Sequence, residues 1–307
     1  DTLVATAISF EHTRVRATSL PIPDAPASRE VGRRVVEQLP REELAHVLIV
    51  SSGLNVNGSE LVAGIIEALP PGCAATGGLA ADGARFASTQ VFLNDAPQKN
   101  AVVAIGLYGK RLRVAYGSRG GWDPFGPERL ITRAQGNVLL ELDGRSALEL
   151  YKSYLGPYAA GLPGSALLFP LLIRSTPEDR GVVRTVLAVD EAAGSMTFAG
   201  DVPTGQRAQL MRANFDRLID GAQGAAALTM ESLTDHPPEF ALLVSCVGRK
   251  MVLKQRTEEE VEAVRDLVGP QAVLAGFYSY GEISPQQYGE KCDLHNQTMT
   301  ITTLSES

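Results

Sequence analysis

The chain has 307 residues, 44% hydrophobic and 21% charged, a composition typical of folded globular proteins that excludes a disordered or fibrous chain. Its length favours two domains or one large pseudo-symmetric unit. A net charge of -7 without a Lys/Arg block argues against a nucleic-acid partner or an anionic membrane surface, and no apolar run approaches the roughly 20 residues that span a bilayer.

Three cysteines, Cys73, Cys246 and Cys292, are scattered through the chain without a CxxC grouping. An odd number of ungrouped cysteines is typical of reduced thiols. The sequence therefore predicts a cytoplasmic protein.

The first 70 residues alternate between strand and helix patterns. Leu3–Phe10 is mostly apolar and predicts a strand. One helix is predicted to begin at Ser28, a capping residue, and a second to run from Ser59 to Leu69, where leucine and isoleucine recur on one stripe. Between them the apolar run Val47–Val50 breaks at Ser51, as a buried strand does where it ends in a loop.

A glycine-rich, turn-like stretch follows from Cys73 to Gly83. Gln90–Leu93 and Ala101–Leu107 are predicted to pair as strands around the turn that separates them. Leu112–Tyr116 predicts a further strand, and Asp143–Leu155 predicts a helix capped by its first residue.

The patterns continue through the middle of the chain. Ala166–Ile173 and Val182–Val189 predict buried strands, and a helix is predicted from about Arg207 to Ile219. Phe240–Val244 predicts another buried strand. Thr257 opens a capping box, in which a Thr hydroxyl and a Glu carboxylate satisfy free helix amides, so a helix is expected to begin there.

The last segment joins an aromatic stretch interrupted by glycines to an alternating strand. The glycines predict a turn from Gly276 to Glu282. We expect the strand that follows to begin with His295 and Asn296.

The same order of elements occurs near both ends of the chain. In each copy an apolar strand ends at a serine, a helix follows, a strand of small residues leads into a glycine, and a strand that begins with Asn comes last. The three matched strands are Leu48–Ser51 and Leu242–Ser245, Ala74–Gly77 and Val273–Gly276, and Asn100–Leu107 and Asn296–Leu304. Repetition of a whole order predicts a duplicated unit. We therefore expect a mixed α/β fold with a pseudo-twofold repeat, in which each half is a mainly β sheet flanked by helices. The predicted domains are 1–195 and 196–307, with a ligand pocket between the halves.

Two stretches resemble a known family. LAGFYSYGEISP followed by DLHNQTMTITTL closely resembles the closing signature of the FIST C-terminal domain, and LIVSSGL with ATGGLAADG resembles the FIST N-terminal domain. The resemblance covers most of the chain in the family's usual order. It implies an intracellular signal-transduction module that senses a small ligand such as an amino acid and signals through a separate protein. It also implies an alternative, because some bacterial relatives are haem-binding nitric oxide sensors that act on histidine kinases or cyclic-di-GMP enzymes.

The residues predicted to contact a ligand are strand-end, glycine-turn and polar residues. They are Ser51, Gly77, Gly78 and Asp82 in the first copy, Arg119 in the connecting region, and Ser245, Cys246, Gly276, Tyr278, Tyr280, Glu282, His295 and Asn296 in the second copy. Glycine lets backbone approach a ligand, tyrosine presents a hydroxyl group, Glu282 can receive an amine, and Arg119 can bind a carboxylate. The alternative for each is structural: turn geometry, core packing or a solvated loop.

His295 shares strand parity with Gln297, Met299 and Ile301, so its side chain should point toward the covered face. It is either a hydrogen-bonded core histidine or a ligand contact. If the cofactor is haem b, His295 is the first candidate for the axial ligand, and His12, His46 and His236 are the others. No CxxCH motif is present, so covalent haem attachment is not expected.

A hydrolase that uses Ser245 or Cys246 is a third interpretation. Neither strand-end serine lies in a GxSxG motif, and the chain holds only four histidines, so a Ser/His/Asp triad has little support. The commoner role of a cysteine such as Cys246 is that of a small buried apolar residue. We therefore expect no catalytic activity.

Overall fold

The computed structural model describes residues 4–94, 96–233 and 237–307, which form two large sheets, a short hairpin and flanking helices. The elements up to residue 119 are β1 (Arg14–Pro21), α1 (Ser28–Glu37), β2 (Leu44–Ser51), α2 (Gly58–Ala68), β3 (Ala74–Ala80), β4 (Gln90–Leu93), β5 (Ala96–Lys99), β6 (Ala101–Tyr108) and β7 (Leu112–Arg119). The middle elements are β8 (Trp122–Gln135), β9 (Val138–Leu142), β10 (Arg145–Ser146), α3 (Ala147–Leu155), β11 (Leu171–Arg174), β12 (Val182–Arg184), β13 (Val186–Asp190), β14 (Ser195–Phe198) and β15 (Arg207–Ala213). The last elements are α4 (Phe215–Glu231), β16 (Phe240–Cys246), α5 (Val247–Leu253), α6 (Thr257–Val268), β17 (Val273–Pro285), β18 (Cys292–His295) and β19 (Met299–Glu306).

The first sheet contains both copies of the repeat in the order β1-β6-β2-β3-β17-β16-β19-β7, with β18 beside β17. In each copy the two inner strands are parallel (β2 with β3, β16 with β17), and the outer pairings are antiparallel. The copies meet where β3 and β17 run antiparallel. This arrangement confirms the predicted mixed α/β fold and its pseudo-twofold repeat, and it shows that the two halves share one continuous sheet.

Each half carries a pair of helices that pack together, α1 with α2 and α4 with α6. In the first half the contact is so close that a Cβ atom at Gly32 would lie 2.2 Å from the Leu61 carbonyl oxygen, and one at Gly64 would lie 1.9 Å from that of Arg29. Only glycine fits at such a crossing. No helix in the described ranges 4–94, 96–233 and 237–307 is long and apolar enough to cross a membrane.

The second sheet interrupts the second copy of the repeat between β7 and α4. Its order is β12-β11-β15-β8-β9-β14-β13, with β10 beside β9. Its first and last residues are neighbours, because Trp122 pairs with Ala213 in the β8–β15 register. It also has its own core, which includes Ile131, Leu139 and Phe198. We call residues 122–213 the inserted sheet.

Several predicted elements in the first half were wrong. Residues 4–10 are not a strand, because no described strand pairs with them, and Leu3 lies outside the described residues. The stretch predicted as a turn after Cys73 is the buried strand β3, whose glycines allow close contact with β2. β4 pairs with β5 rather than with β6, which lies between β1 and β2.

The middle of the chain also differs from the prediction. α3 begins at Ala147 and Ser146 caps it, because Asp143 is instead engaged in a turn where it accepts a hydrogen bond from the Leu130 amide. Residues 164–168 form a short 3-10 helix before β11. The run from Val182 is divided into β12 and β13, which lie at opposite edges of the inserted sheet.

The strand predicted to begin with His295 and Asn296 begins instead at Met299. His295 ends β18, and Gln297 between the two strands adopts a φ of 64°, which interrupts the extended backbone.

Three other predictions in the second half also required correction. The predicted helix Arg207–Ile219 is a strand followed by a helix, because the Asn214 side chain caps α4 by accepting from the amides of Asp216 and Arg217. Gly276 and Glu282 lie inside the 13-residue strand β17 rather than in a turn. α6 begins at Thr257 as predicted, but the hydroxyl of Thr257 donates to Lys254 rather than forming a capping box.

Candidate functional site

Predicted site residues converge where the two copies of the repeat meet. Glu282 is opposite Gly78 on one side of β17 and opposite His295 on the other. Glu282, Tyr280 and Asn296 are all buried there. A Cβ atom at Gly78 would lie 2.7 Å from a methyl carbon of Val244, so this glycine is required for packing. The junction is therefore filled by protein side chains.

Glu282 forms the centre of a hydrogen-bond chain. The backbone amide and hydroxyl of Thr298 both donate to one Glu282 oxygen, at 3.1 and 2.9 Å. The other oxygen contacts the Ser279 hydroxyl, which lies 3.3 Å from the carbonyl oxygen of Ser245. Burial raises the pKa of Glu282 to about 8. A protonated Glu282 can donate to the Ser279 hydroxyl, which then donates to the Ser245 carbonyl oxygen. The neutral carboxyl group therefore gives every polar group in this chain a hydrogen-bond partner.

Tyr280 connects the two copies through its hydroxyl group. It donates to a carboxylate oxygen of Asp82 and approaches the Gly83 carbonyl oxygen at 2.7 Å. Asp82 also accepts from the amides of Ala87 and Ser88, which holds the loop after β3 in place. The ring of Phe86 in this loop stacks on Tyr280 with centroids 4.9 Å apart. Phe86 adopts a φ of 49°, an uncommon conformation for a bulky residue.

Other predicted residues at the junction have structural contacts. The Asn296 amide donates to the Tyr280 carbonyl oxygen at 2.9 Å, and its buried side-chain oxygen has no partner among the described residues. Ser51 is buried and its hydroxyl donates to the Ser52 carbonyl oxygen. A Cβ atom at Gly77 would lie 1.8 Å from the Ile49 carbonyl oxygen.

A second group of predicted residues lines a small apolar cavity between β16, β17 and α6. The cavity has a volume of about 260 Å³, and Ser245, Gly276 and Tyr278 lie on its wall. The hydroxyl groups of Ser245 and Tyr278 both donate to the buried Glu260 carboxylate, at 3.2 and 3.1 Å. Glu260 is neutralised by the fully buried Arg249, whose Nε lies 3.0 Å away. This ion pair was not predicted, because its partners lie on separate helices, α5 and α6.

The two candidate nucleophiles are poorly placed for catalysis. The Ser245 hydroxyl faces Glu260, and none of its hydrogen bonds within the described residues involves a histidine. Cys246 is fully buried, and burial raises the pKa of its thiol, so the reactive thiolate is disfavoured.

The described histidines do not fit the role of haem ligand. His46 is buried against the Thr76 hydroxyl, and burial lowers its pKa to about 3. Nε2 of His295 donates to the Ser284 carbonyl oxygen at 2.8 Å, and burial lowers the pKa of this imidazole. The cavity beside His295 is lined mainly by charged side chains, unlike the apolar slot that a macrocycle requires. His12 is half exposed and contacts Arg111, and His236 lies outside the described residues.

The largest of the described cavities was not predicted. It has a volume of about 850 Å³ and lies between the inserted sheet and the loops that follow β2 and β3. We call it the inter-sheet cleft. Its apolar wall includes Phe86, Leu187 and Phe198, and its polar groups include Asn55 and Glu60. These residues come from distant segments, so no local sequence pattern could identify them.

Arg119 lies at the end of β7, away from the inter-sheet cleft, in a separate cavity with Arg180 and Arg217. Asp82 and Tyr280 are not among the residues that line the inter-sheet cleft, but Phe86 joins them to it. The predicted set is therefore divided among the junction, the small apolar cavity and the cavity of Arg119. Its role in ligand binding remains a prediction.

Comparisons with known proteins identify relatives of both halves. The chain is 27% identical over 228 residues to two proteins from different strains of Mycobacterium tuberculosis, each described only as an uncharacterized protein. The matched region covers 70% of this chain and 57% of each relative, so the similarity spans little more than half of their length. The family models of the FIST N domain and the FIST C domain match residues 1–145 and 147–285. The chain therefore belongs to the FIST family, whose domains are sensory modules of signal transduction.

Proposed function

We propose that the protein is a sensor that binds a small ligand, such as an amino acid or a related metabolite, in the inter-sheet cleft. The observation that carries this proposal is the position of the cleft at the carboxyl ends of the parallel strands β2 and β3. Ligands of open α/β sheets bind at such ends. A volume of about 850 Å³ is also within the range of small-molecule pockets.

The chemistry of the wall supports a dipolar ligand with an apolar part. The N-terminus of α2 lies beside the cleft, where the helix dipole favours a carboxylate. Glu60 lies in the first turn of the same helix and can accept a hydrogen bond from an ammonium group. Leu187 and Phe198 from the inserted sheet supply an apolar surface for a side chain.

The loop after β3 supports a route for the signal. A ligand that contacts Phe86 would alter its stacking on Tyr280, and Tyr280 belongs to β17 in the second copy. A ligand that prefers one arrangement of this loop shifts the population toward it. We propose that a separate signalling protein in the cytoplasm, such as a histidine kinase or a cyclic-di-GMP enzyme, recognises this arrangement. The three free thiols are compatible with a reducing compartment.

The test is a thermal-shift screen of amino acids and related metabolites. A ligand at 100 times its Kd stabilises the folded protein by about 2.7 kcal/mol. Ala188 is exposed on the cleft wall, so Ala188→Trp should block the cleft and abolish this stabilisation. Ala193→Trp adds the same side chain in the exposed turn between β13 and β14 and should retain it. A panel without any stabilising compound, or full stabilisation of Ala188→Trp, would contradict the proposal.

Haem is a weaker candidate because the described histidines do not fit it. Reconstitution with haem is expected to give an absorption spectrum that does not change when His46 or His295 is replaced. A spectrum of bound haem that disappears with one of these replacements would favour the nitric oxide sensor instead.

A further inference from the structure

A cavity of about 500 Å³ lies at the other end of the first sheet, between the end of β7, one face of α4 and the loop after β17. Three arginines, Arg119, Arg180 and Arg217, line it together with Asp220 and Gln286. We call it the arginine groove. It shares no lining residue with the inter-sheet cleft, so it is independent of the proposed sensory site.

The charge of the arginine groove is opposite to that of the whole protein. The chain carries a net charge of -7, yet three guanidinium groups and a single carboxylate line this cavity. Arg217 is held by Asp123, with 3.2 Å between Nε and Oδ1. Across the described residues, the side chains of Arg119 and Arg180 have no hydrogen bond or ion pair. Each therefore has its full set of donors available to a ligand.

Close packing fixes the floor of the arginine groove. A Cβ atom at Gly221 of α4 would lie 1.7 Å from the Gly120 carbonyl oxygen, so helix and strand end are in direct backbone contact. A Cβ atom at Gly224 would lie 2.9 Å from Cδ of Arg119. The aliphatic part of Arg119 is thus seated on α4, about two turns beyond Arg217. Arginine positioned in this way loses less entropy when it binds.

The surroundings limit where an anion can lie. The Gln286 carbonyl oxygen accepts from the Ser118 amide at 3.1 Å, which ties the loop after β17 to the arginine groove. Arg180 and Gln286 also line the neighbouring cavity, whose wall includes the carboxylates of Glu178 and Glu290. Those carboxylates repel an anionic group, so an anion is confined to the side of Arg119.

We propose that the arginine groove binds the phosphate group of a small phosphorylated molecule. A phosphate presents several acceptor oxygens in three directions, whereas a carboxylate presents two in one plane. Guanidinium groups that approach from β7, from α4 and from the loop before β12 match the first geometry. The volume of about 500 Å³ leaves space for an organic part beside the phosphate.

The test uses isothermal titration calorimetry of the full chain at low ionic strength. Inorganic phosphate and ethyl phosphate should both bind, and acetate should bind at least about tenfold more weakly, a difference of about 1.4 kcal/mol. Arg119→Gln and Arg180→Gln should each weaken phosphate binding at least about tenfold, since each removes charge-assisted hydrogen bonds. Circular dichroism checks that both variants fold.

Arg41→Gln is the matched control, because Arg41 is exposed and lies outside the arginine groove. It should leave phosphate binding unchanged. Equal weakening by Arg41→Gln would indicate diffuse charge and overturn the proposal. The proposal would also be overturned if phosphate did not bind or if acetate bound as tightly as phosphate. The same holds if inorganic phosphate bound more tightly than its ethyl ester.

Discussion

Glu282 illustrates what sequence can and cannot reveal about a single residue. Its position beside Gly281 predicted either a residue that receives a ligand amine or a solvated loop carboxylate. In the structure it is buried, and its contacts are Ser279 and Thr298. The burial of Glu282 depends on β3 and β18, which lie on either side of β17. Those neighbours are set by tertiary pairing and leave no local signal.

Glu282→Gln should remove a pH dependence of stability. The pKa of Glu282 is raised from 4.5 to about 8, so its stabilising contribution is complete below pH 4.5 and is lost as the pH rises to 8. The amide of Gln can keep the contacts with Ser279 and Thr298. The free energy of unfolding of the variant should therefore rise relative to that of wild type between pH 5 and 8, by at most about 1.4 kcal/mol per pH unit.

Urea unfolding across this pH range measures the difference. Glu306→Gln is the control that should show no pH dependence in this range, because hydrogen bonds from Thr13 and nearby amides lower the pKa of Glu306 from 4.5 despite partial burial. Its contribution is present above pH 4.5 and is lost as the pH falls. A constant difference between Glu282→Gln and wild type from pH 5 to 8 would show that Glu282 is ionised in the fold.

Arg249→Met should be strongly destabilising. Arg249 donates to Glu260 and to the carbonyl oxygens of Gly120 and Leu218, so it joins α5 to α6, β7 and α4. Its loss leaves Glu260 buried and unpaired, at a cost of about 3 to 5 kcal/mol in the free energy of unfolding. The double replacement Arg249→Met with Glu260→Leu should recover much of this loss.

Chemical denaturation checks both variants against a surface control. Arg256→Met breaks a half-exposed pair with Glu259 and should lower the free energy of unfolding far less, since solvent screens such a pair. A similar small cost for Arg249→Met would mean that Glu260 finds another partner or is neutral.

At the level of elements, helices with a regular apolar stripe were predicted well, whereas strands that contain glycines were not. α2 and α6 were recognised because their apolar residues follow one helical stripe. β17 was mistaken for a turn because its glycines usually break strands. In the structure a Cβ atom at Gly276 would lie 2.0 Å from the Leu243 carbonyl oxygen, so this glycine serves a close strand contact. That requirement is visible only once β16 lies beside β17.

Tyr280→Phe should loosen the loop after β3. The variant keeps the ring that stacks on Phe86 but loses the hydrogen bonds to Asp82 and Gly83. We expect a loss of about 1 to 3 kcal/mol, since one acceptor is a charged group. Hydrogen exchange at the Ala87 amide, which is bonded to Asp82, should become faster.

Tyr288→Phe provides the comparison, because Tyr288 is 68% exposed and lies beside Cys73 and Ala74, at the other end of β3 from this loop. Its exchange at Ala87 should equal that of wild type. Unchanged exchange in Tyr280→Phe as well would mean that Asp82 is held by its backbone contacts alone, and the proposed signal route would lose its hydroxyl link.

At the scale of the whole molecule, the duplication was predictable and the inserted sheet was not. The repeat appears in sequence as two similar orders of elements. The inserted sheet interrupts the second copy of the repeat after β7. The strand that corresponds to β1, which is β7, is therefore far in sequence from the rest of its copy. The domain division 1–195 and 196–307 remains a prediction, while the family models change between residues 145 and 147.

The inserted sheet should fold when it is expressed alone. Residues 122–213 have their own hydrophobic core, and their two ends pair with each other. We expect a cooperative thermal transition in circular dichroism, at a lower temperature than in the full chain. The reason is that the buried Arg184 loses its hydrogen bonds to Ser59 and to the Leu294 carbonyl oxygen.

Arg184→Met in the isolated segment is the control, since its main partners outside the segment are already gone, and it should change the transition little. The same replacement in the full chain should lower the transition clearly. A segment without a cooperative transition would show that its core depends on the first sheet.

The antiparallel contact of β3 with β17 has the geometry of an interface between two subunits. If the inserted sheet is set aside, the two copies have the same strand order and meet across one approximate twofold axis. Such a contact is self-complementary in the way that the interface of a symmetric dimer is. The present chain therefore has the form of a homodimer joined into one chain, with the inserted sheet placed within one copy. The first copy expressed alone would expose the edge of β3 and should associate with itself.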